Sequence, residues 1–182
     1  MNRYKLKFTK LQNEIFRLFS IKSSSHLTKR AIARALNVSP TGVAKALPLL
    51  EKEGLIKVEK SKEMNLSSVR LDRDSSKAIE AKKIENLKLI YESDLIQFLE
   101  ESFPGTTIIL FGSYARGEDT EESDIDLFIE SEKVEISLEK FEKKLKRTIQ
   151  LHYKRKFKDM PKELKNNIMN GIVLDGYVVG FE

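Results

Sequence analysis

The sequence contains no cysteine. That excludes disulfides, thiolate catalysis and cysteine-ligated zinc. Histidine is scarce, with only His26 and His152, so a histidine-rich metal site is excluded too. With four prolines and eight glycines in 182 residues, no stretch reads as a low-complexity linker. No apolar run is long enough to span a bilayer. The opening Met1-Asn2-Arg3-Tyr4-Lys5 lacks the apolar core of a secretory signal. The expectation is a cytoplasmic protein with no membrane partner. What the chain does have is charge, 34% of residues against 40% hydrophobic, a globular balance for one ordinary domain or two small ones.

The net charge of +5 hides a split. Residues 1–73 carry 16 Lys and Arg against 6 Asp and Glu, and residues 74–182 carry 17 against 22. A basic N-terminal part calls for a polyanion. An acidic C-terminal part suits cations or simple solubility.

Phe8, Leu11, Ile15, Leu18 and Phe19 recur at steps of three and four, which predicts a helix with one buried face. Ser23-Ser24-Ser25-His26 predicts a loop. Thr28 can cap a second helix over Lys29 to Leu36. Ser39 can cap a third, with Pro40 at its first position, where a missing N–H costs nothing. That helix is expected to run to Glu53, with Pro48 bending it. Leu55 to Lys60 alternates like a strand, and Ser67 to Leu71 reads as its return, making a hairpin.

This order, and the segment from Thr28 to Ile56 in particular, resembles a winged helix-turn-helix domain over about residues 5–72. The resemblance implies a second helix of the pair in the DNA major groove and a wing on the backbone. Mapped here, Ser39, Thr41, Gly42 and Lys45 would lie at the recognition helix, Arg30 and Arg34 near phosphates, and Lys57, Lys60 and Lys62 on the wing. The partner implied is double-stranded DNA, which the excess positive charge favours. A small helical domain for protein contacts or dimerisation is the blander alternative.

Asp74-Ser75-Ser76 supplies capping residues, and Ile84, Leu87, Tyr91, Leu95 and Phe98 repeat at helical steps. One long linking helix over 74–102 is expected, of a kind that can also pair in a homodimer. Phe103-Pro104-Gly105 ends it.

The third part, 103–182, is organised by Ile108-Ile109-Leu110-Phe111-Gly112-Ser113-Tyr114-Ala115-Arg116-Gly117 and Ser123-Asp124-Ile125-Asp126-Leu127-Phe128-Ile129-Glu130. The first reads as a buried central strand running into a glycine turn and a short helix. The second is a strand whose alternation puts Asp124 and Asp126 on one face and Ile125, Leu127 and Ile129 on the other. Two adjacent carboxylates repel unless a cation lies between them. An amphipathic helix over 136–148 should turn Leu138, Phe141 and Leu145 inward and Lys143, Lys144, Lys146 and Arg147 outward. Residues 149–153 read as a strand, 161–171 as a helix and 172–179 as a terminal extended piece.

Gly112-Ser113 followed at a set distance by Asp124-Ile125-Asp126 resembles the signature of polymerase-β-type nucleotidyltransferases, and most closely the minimal subgroup, over about residues 84–180. The fold class expected is therefore α+β in two domains, a winged helix and a nucleotidyltransferase-fold mixed sheet. The resemblance implies an NTP and Mg²⁺ as ligands. Gly112 lets a triphosphate approach closely, Ser113 and Arg116 contact phosphate, and Asp124 and Asp126 act as catalytic residues by holding the metal. It also implies that such domains often work beside a small helical partner protein. Where catalytic members carry a third carboxylate, this chain has Gln150. His152 shares its face and could act as a base; Glu130 and Asp159 are poorer substitutes. Two functions are thus expected. One is a DNA-associated nucleotidyltransferase that moves a nucleoside monophosphate to a protein or nucleic-acid hydroxyl. The other is a catalytically impaired transcriptional regulator that senses nucleotide or dimerises through the same fold.

Overall fold

Thr9 starts the first helix. In the structure, a computed structural model that describes residues 8–60, 67–155 and 160–178, its hydroxyl accepts from the Gln12 N–H while the Gln12 side chain accepts from the Thr9 N–H. This reciprocal cap satisfies two donors that a helix start leaves open. The chain divides into two units, Met1–Lys82 and Lys83–Glu182.

The first unit runs α1 (Lys10–Ile21), β1 (Leu27–Thr28), α2 (Lys29–Leu36), α3 (Pro40–Lys52), β2 (Ile56–Lys60) and β3 (Ser67–Leu71). Thr28 and Ser39 cap α2 and α3 through bonds from the Ala31 and Gly42 N–H groups. The helix α3 continues through Pro48. The three strands form an antiparallel sheet in the order β1-β3-β2. β1 is absent from the sequence reading, because two residues are too short to show alternation; Leu27 and Thr28 are strand only by pairing with Val69 and Ser68. Ile15, Phe19, Ile32, Val43, Leu50 and Val69 are fully buried at the centre, each burial contributing roughly 1.5–3 kcal/mol.

The linking helix expected over 74–102 is instead two helices, α4 (Ser76–Glu92) and α5 (Leu95–Ser102). Asp94 breaks them with φ 66, in the left-handed region. The Ser93 hydroxyl donates to the Ile90 carbonyl and accepts from the Leu95 N–H, so a local side chain replaces the helical bonds. The buried stripe is the expected one only in part: Leu95 is fully buried and Leu87 and Phe98 are half-buried. Ile84 and Tyr91 are exposed, while Ala78, Asn86, Leu89 and Ile90 are buried.

The second unit continues with β4 (Ile108–Phe111), α6 (Gly112–Arg116), β5 (Ile125–Ile129), α7 (Glu139–Leu145), β6 (Ile149–Tyr153), α8 (Lys162–Met169) and β7 (Ile172–Asp175). Its sheet has the order β6-β5-β4-β7. β5 is antiparallel to β4 and parallel to β6, and β7 is antiparallel to β4. All four residues of β4 are buried, as expected for a central strand covered on both faces. One face carries Ile125, Leu127 and Ile129, all fully buried. On the other, Ile109, Phe111 and Phe128 pack with Met160 and Ile168. The helix α7 is shorter than expected, because Lys146 takes a left-handed conformation at its end.

Candidate nucleotide and metal site

The pairing of β4 with β5 sets Phe111 opposite Asp126. The next residue, Gly112, has φ +76, which L side chains rarely adopt. A Cβ built on it would stand 2.5 Å from Asp126 Oδ2. Asp126 therefore rests against glycine backbone, and any side chain at 112 would displace it. Asp124 lies just before β5, and both aspartates are half-buried.

The parallel pairing of β5 with β6 sets Asp126 beside Gln150 and Phe128 beside His152. Gln150 is exposed. His152 Nε2 lies 3.0 Å from Asp126 Oδ1, and its ring meets Phe111 edge-on at 5.1 Å. Strand register thus collects Gly112, Asp126, Gln150 and His152 at one end of the sheet, the end where α6 begins. Ser113 is half-buried. Arg116 is exposed, and its Nε donates to Glu118 Oε2 at 2.7 Å; an ion pair this open leaves it accessible to another anion.

The loop that delivers Asp124 is pinned from below. Asp119 is fully buried. It accepts from Asn86 Nδ2 at 2.7 Å and from the Arg147 guanidinium at 3.4 Å, while Asn86 also donates to the Tyr114 carbonyl. Arg147, expected to point outward with its basic neighbours, is turned inward with its side chain 3% exposed. Farther along, the Thr120 N–H donates to Ser123 Oγ at 2.9 Å. Sequence reasoning missed this network: Asp119 stood in an acidic run and Arg147 in a basic one, and neither run marks its buried member.

Asp124 and Asp126 are hard oxygen donors, the type a Mg²⁺ ion takes, and the exposed Gln150 is in register beside Asp126. The set fits one cation completed by a ligand's own oxygens. It does not supply the carboxylates for two. Among the described residues no group of three or more His, Asp or Glu is arranged to hold a metal.

In the winged unit, Ser39, Thr41 and Lys45 are exposed along α3, and Arg30 and Arg34 along α2. Gly42 is half-buried and gives its N–H to the Ser39 cap. Lys57 is already held by Asp72 and Asp74, at 2.8 and 2.7 Å, and these carboxylates raise its pKa. Lys60 ends β2, and Lys62 lies outside the described residues.

Helix, turn, helix and hairpin in one unit, and a glycine-backed aspartate on a mixed sheet in the other, define a winged helix-turn-helix domain followed by a nucleotidyltransferase-fold domain. The comparisons agree: residues 92–175 match the nucleotidyltransferase domain family and residues 18–57 the winged helix-turn-helix DNA-binding family. Over 34 residues the chain is 56% identical to a candidate protein adenylyltransferase of Methanocaldococcus jannaschii, covering 19% of this chain and 34% of the relative. The chain thus spans about a third of the length of the curated relative it matches. Among solved structures it is similar to the Lactococcus lactis protein ZitR in complex with DNA, with 26% identity and a TM-score of 0.42 over 54% of this chain and 64% of that one. It is also similar to the adhesin competence repressor AdcR of Streptococcus pyogenes, with 23% identity and a TM-score of 0.43 over 56% and 71%. No described helix is long and apolar enough to cross a membrane.

Proposed function

We propose that this protein binds an NTP with a divalent cation at the Gly112–Asp126 end of its second sheet. There it transfers a nucleoside monophosphate to a hydroxyl group, while the winged domain holds it on double-stranded DNA. The observation that carries this reading is the contact of Gly112 with the Asp126 carboxylate. Glycine there seats the Asp126 carboxylate against bare backbone at the strand end where α6 begins, which fixes a metal-binding oxygen beside the turn that would meet a triphosphate.

Gly112 opens the approach, the Ser113 hydroxyl donates to a phosphate oxygen, and Arg116 exchanges Glu118 for phosphate charge. Asp124 and Asp126 would hold Mg²⁺, which when bound neutralises phosphate charge and polarises the α-phosphorus for attack. His152 orients the Asp126 carboxylate through its 3.0 Å contact. On the DNA side, Thr41, Lys45 and the Ser39 turn face the groove, and Arg30 and Arg34 take phosphates. The match to a protein adenylyltransferase favours protein over nucleic acid as the acceptor.

One observation favours a second reading. Gln150 stands in register with Asp126 where a third carboxylate would complete the metal set. On that reading the protein is a DNA-bound regulator that senses the nucleotide without transferring it. Titration calorimetry with ATP and Mg²⁺ tests the shared premise, and absence of binding by folded protein sinks both. Incubation with α-labelled NTPs separates them: covalent label is expected for the transferase, and nucleotide-dependent DNA affinity without pyrophosphate release for the regulator.

A further inference from the structure

The helix α6 is barely more than one turn, from Gly112 to Arg116. A helix this short gains too little from its own hydrogen bonds to stand alone, so its direction is set by what it packs on. Tyr114 and Ala115 are its buried side chains, 2% and 3% exposed. Ser113 is half-buried and Arg116 exposed. The Tyr114 carbonyl accepts from the Gly117 N–H at 3.3 Å, and the Ser113 carbonyl from the Glu118 N–H at 3.0 Å.

Asn86 reaches this turn from α4. It is 1% exposed. Its Nδ2 donates to the Tyr114 carbonyl at 2.9 Å and to Asp119 Oδ1 at 2.7 Å. An amide nitrogen carries two hydrogens, and here each has an acceptor. A leucine in its place would take that donor from a buried carbonyl and a buried carboxylate at once. The two acceptors lie on either side of Gly117. One side chain thus joins α6, which carries Ser113 and Arg116, to the start of the loop that leads to Asp124. That loop has further support. Asp119 also accepts from Arg147 at 3.4 Å, and the Thr120 N–H donates to Ser123 Oγ just before Asp124. Removing Asn86 leaves Arg147 on Asp119, so the loss falls on α6 more than on the loop.

Resting on the nucleotide-binding reading above, we propose that Asn86 is a positioning residue for the triphosphate. It sets the tilt of α6 and so aims the Ser113 hydroxyl and the Arg116 guanidinium at the phosphates. The cation stays with Asp124 and Asp126, on the loop and strand that Asn86 supports least. A buried amide that served the fold alone would affect every ligand of the site alike, or none.

The test uses the full chain and two probes. Mn²⁺ alone is followed by the electron paramagnetic resonance of the free ion, and ATP with Mn²⁺ by calorimetry. In Asn86→Ala the affinity for ATP with Mn²⁺ should fall by about tenfold or more, while that for Mn²⁺ alone should stay within about twofold. Ile96→Val, a buried change on α5, should leave both within about twofold. Where Asn86→Ala does not fold, Asn86→Ser, which keeps one short donor, carries the same comparison. Unchanged ATP affinity in a folded Asn86 variant, equal losses for Mn²⁺ and for ATP with Mn²⁺, or an equal fall in Ile96→Val overturns the proposal and leaves the nucleotide reading standing. No binding of ATP with Mn²⁺ by the native chain overturns that reading, and the proposal with it.

Discussion

Asp126 is seated on the backbone of Gly112, with Oδ2 only 2.5 Å from where a Cβ would stand. Glycine at 112 is thus required twice, by its φ of +76 and by this contact. Gly112→Ala is expected to cost about 1–2 kcal/mol for the backbone alone and to push the Asp126 carboxylate out of place. Nucleotide affinity with Mg²⁺, measured by calorimetry, should fall below detection while the far-ultraviolet circular dichroism stays native. Undiminished affinity in a folded Gly112→Ala protein removes the site from this strand end.

The Asp119–Arg147 pair predicts a stability effect with no direct part in chemistry. Their side chains are 0% and 3% exposed. Asp119→Ala leaves a buried guanidinium without that carboxylate, which costs about 3–5 kcal/mol. Asp119→Ala with Arg147→Met should recover part of the loss, since the charge is then gone. Urea denaturation of both variants checks this.

Elements that rest on local chemistry were legible in the residues. Thr28 and Ser39 announced the starts of α2 and α3, and the alternation of Ile125, Leu127 and Ile129 announced β5, because caps and strand faces follow from adjacent residues. The Gly112, Ser113 and Asp124-Ile125-Asp126 pattern announced its own strand-turn-strand setting for the same reason. What depended on tertiary partners was not legible. The helix over 74–102 looked continuous, since nothing in the side-chain pattern reveals that Ser93 and Asp94 trade helical bonds for side-chain ones. Arg147 looked like a solvated cation, since only the folded sheet brings Asp119 within 3.4 Å of it. The contact of His152 with Asp126 needed the β5–β6 register.

The hairpin of the winged unit should be acid-sensitive. Glu59 is held below the usual carboxylate range, first by its hydrogen bond to Arg70 and then by the charges of Arg70, His26 and Lys57. A carboxyl whose folded pKa lies below its unfolded value contributes stability that is present above the unfolded value and is lost as pH falls through the folded one. Lys57 works at the other end, raised by Asp72 and then Asp74; its contribution is full below the unfolded lysine value and disappears as pH rises through the raised one. Melting temperature should therefore hold flat between roughly pH 5.5 and 9.5 and drop on either side. Arg70→Met should shrink the acid drop specifically.

Double-stranded DNA binding should be dominated by charge. Lys45, Arg30 and Arg34 are exposed, and none is paired with a carboxylate among the described residues. Removing one cation that neutralises a phosphate lowers the slope of log affinity against log salt by about one. Arg34→Ala should weaken all duplexes alike. Thr41→Ala should change the preference among sequences more than the salt slope, because Thr41 lies exposed near the start of α3, where base edges are read. Filter binding or anisotropy at several salt concentrations separates the two effects, and an unchanged slope in Arg34→Ala and Lys45→Ala would remove α2 and α3 from the DNA face.

Gln150 offers a gain-of-function test. It is exposed, in register with Asp126 on the same side of the sheet, and Gln150→Glu changes one atom and one charge. Stability should move by less than about 0.5 kcal/mol at so open a position. A third carboxylate there would complete a set able to take a second cation beside the attacking oxygen, so transfer from α-labelled ATP should rise by about tenfold or more, a drop of roughly 1.4 kcal/mol in barrier. Asp126→Asn should abolish transfer in both backgrounds, tying the gain to this site. If native protein transfers no label and Gln150→Glu does, the native chain is the nucleotide-sensing regulator, with the loss of chemistry assigned to one amide. If Gln150→Glu changes neither rate nor metal dependence, the missing charge is supplied elsewhere, and His152→Gln becomes the discriminating variant, because His152 Nε2 lies 3.0 Å from Asp126 Oδ1.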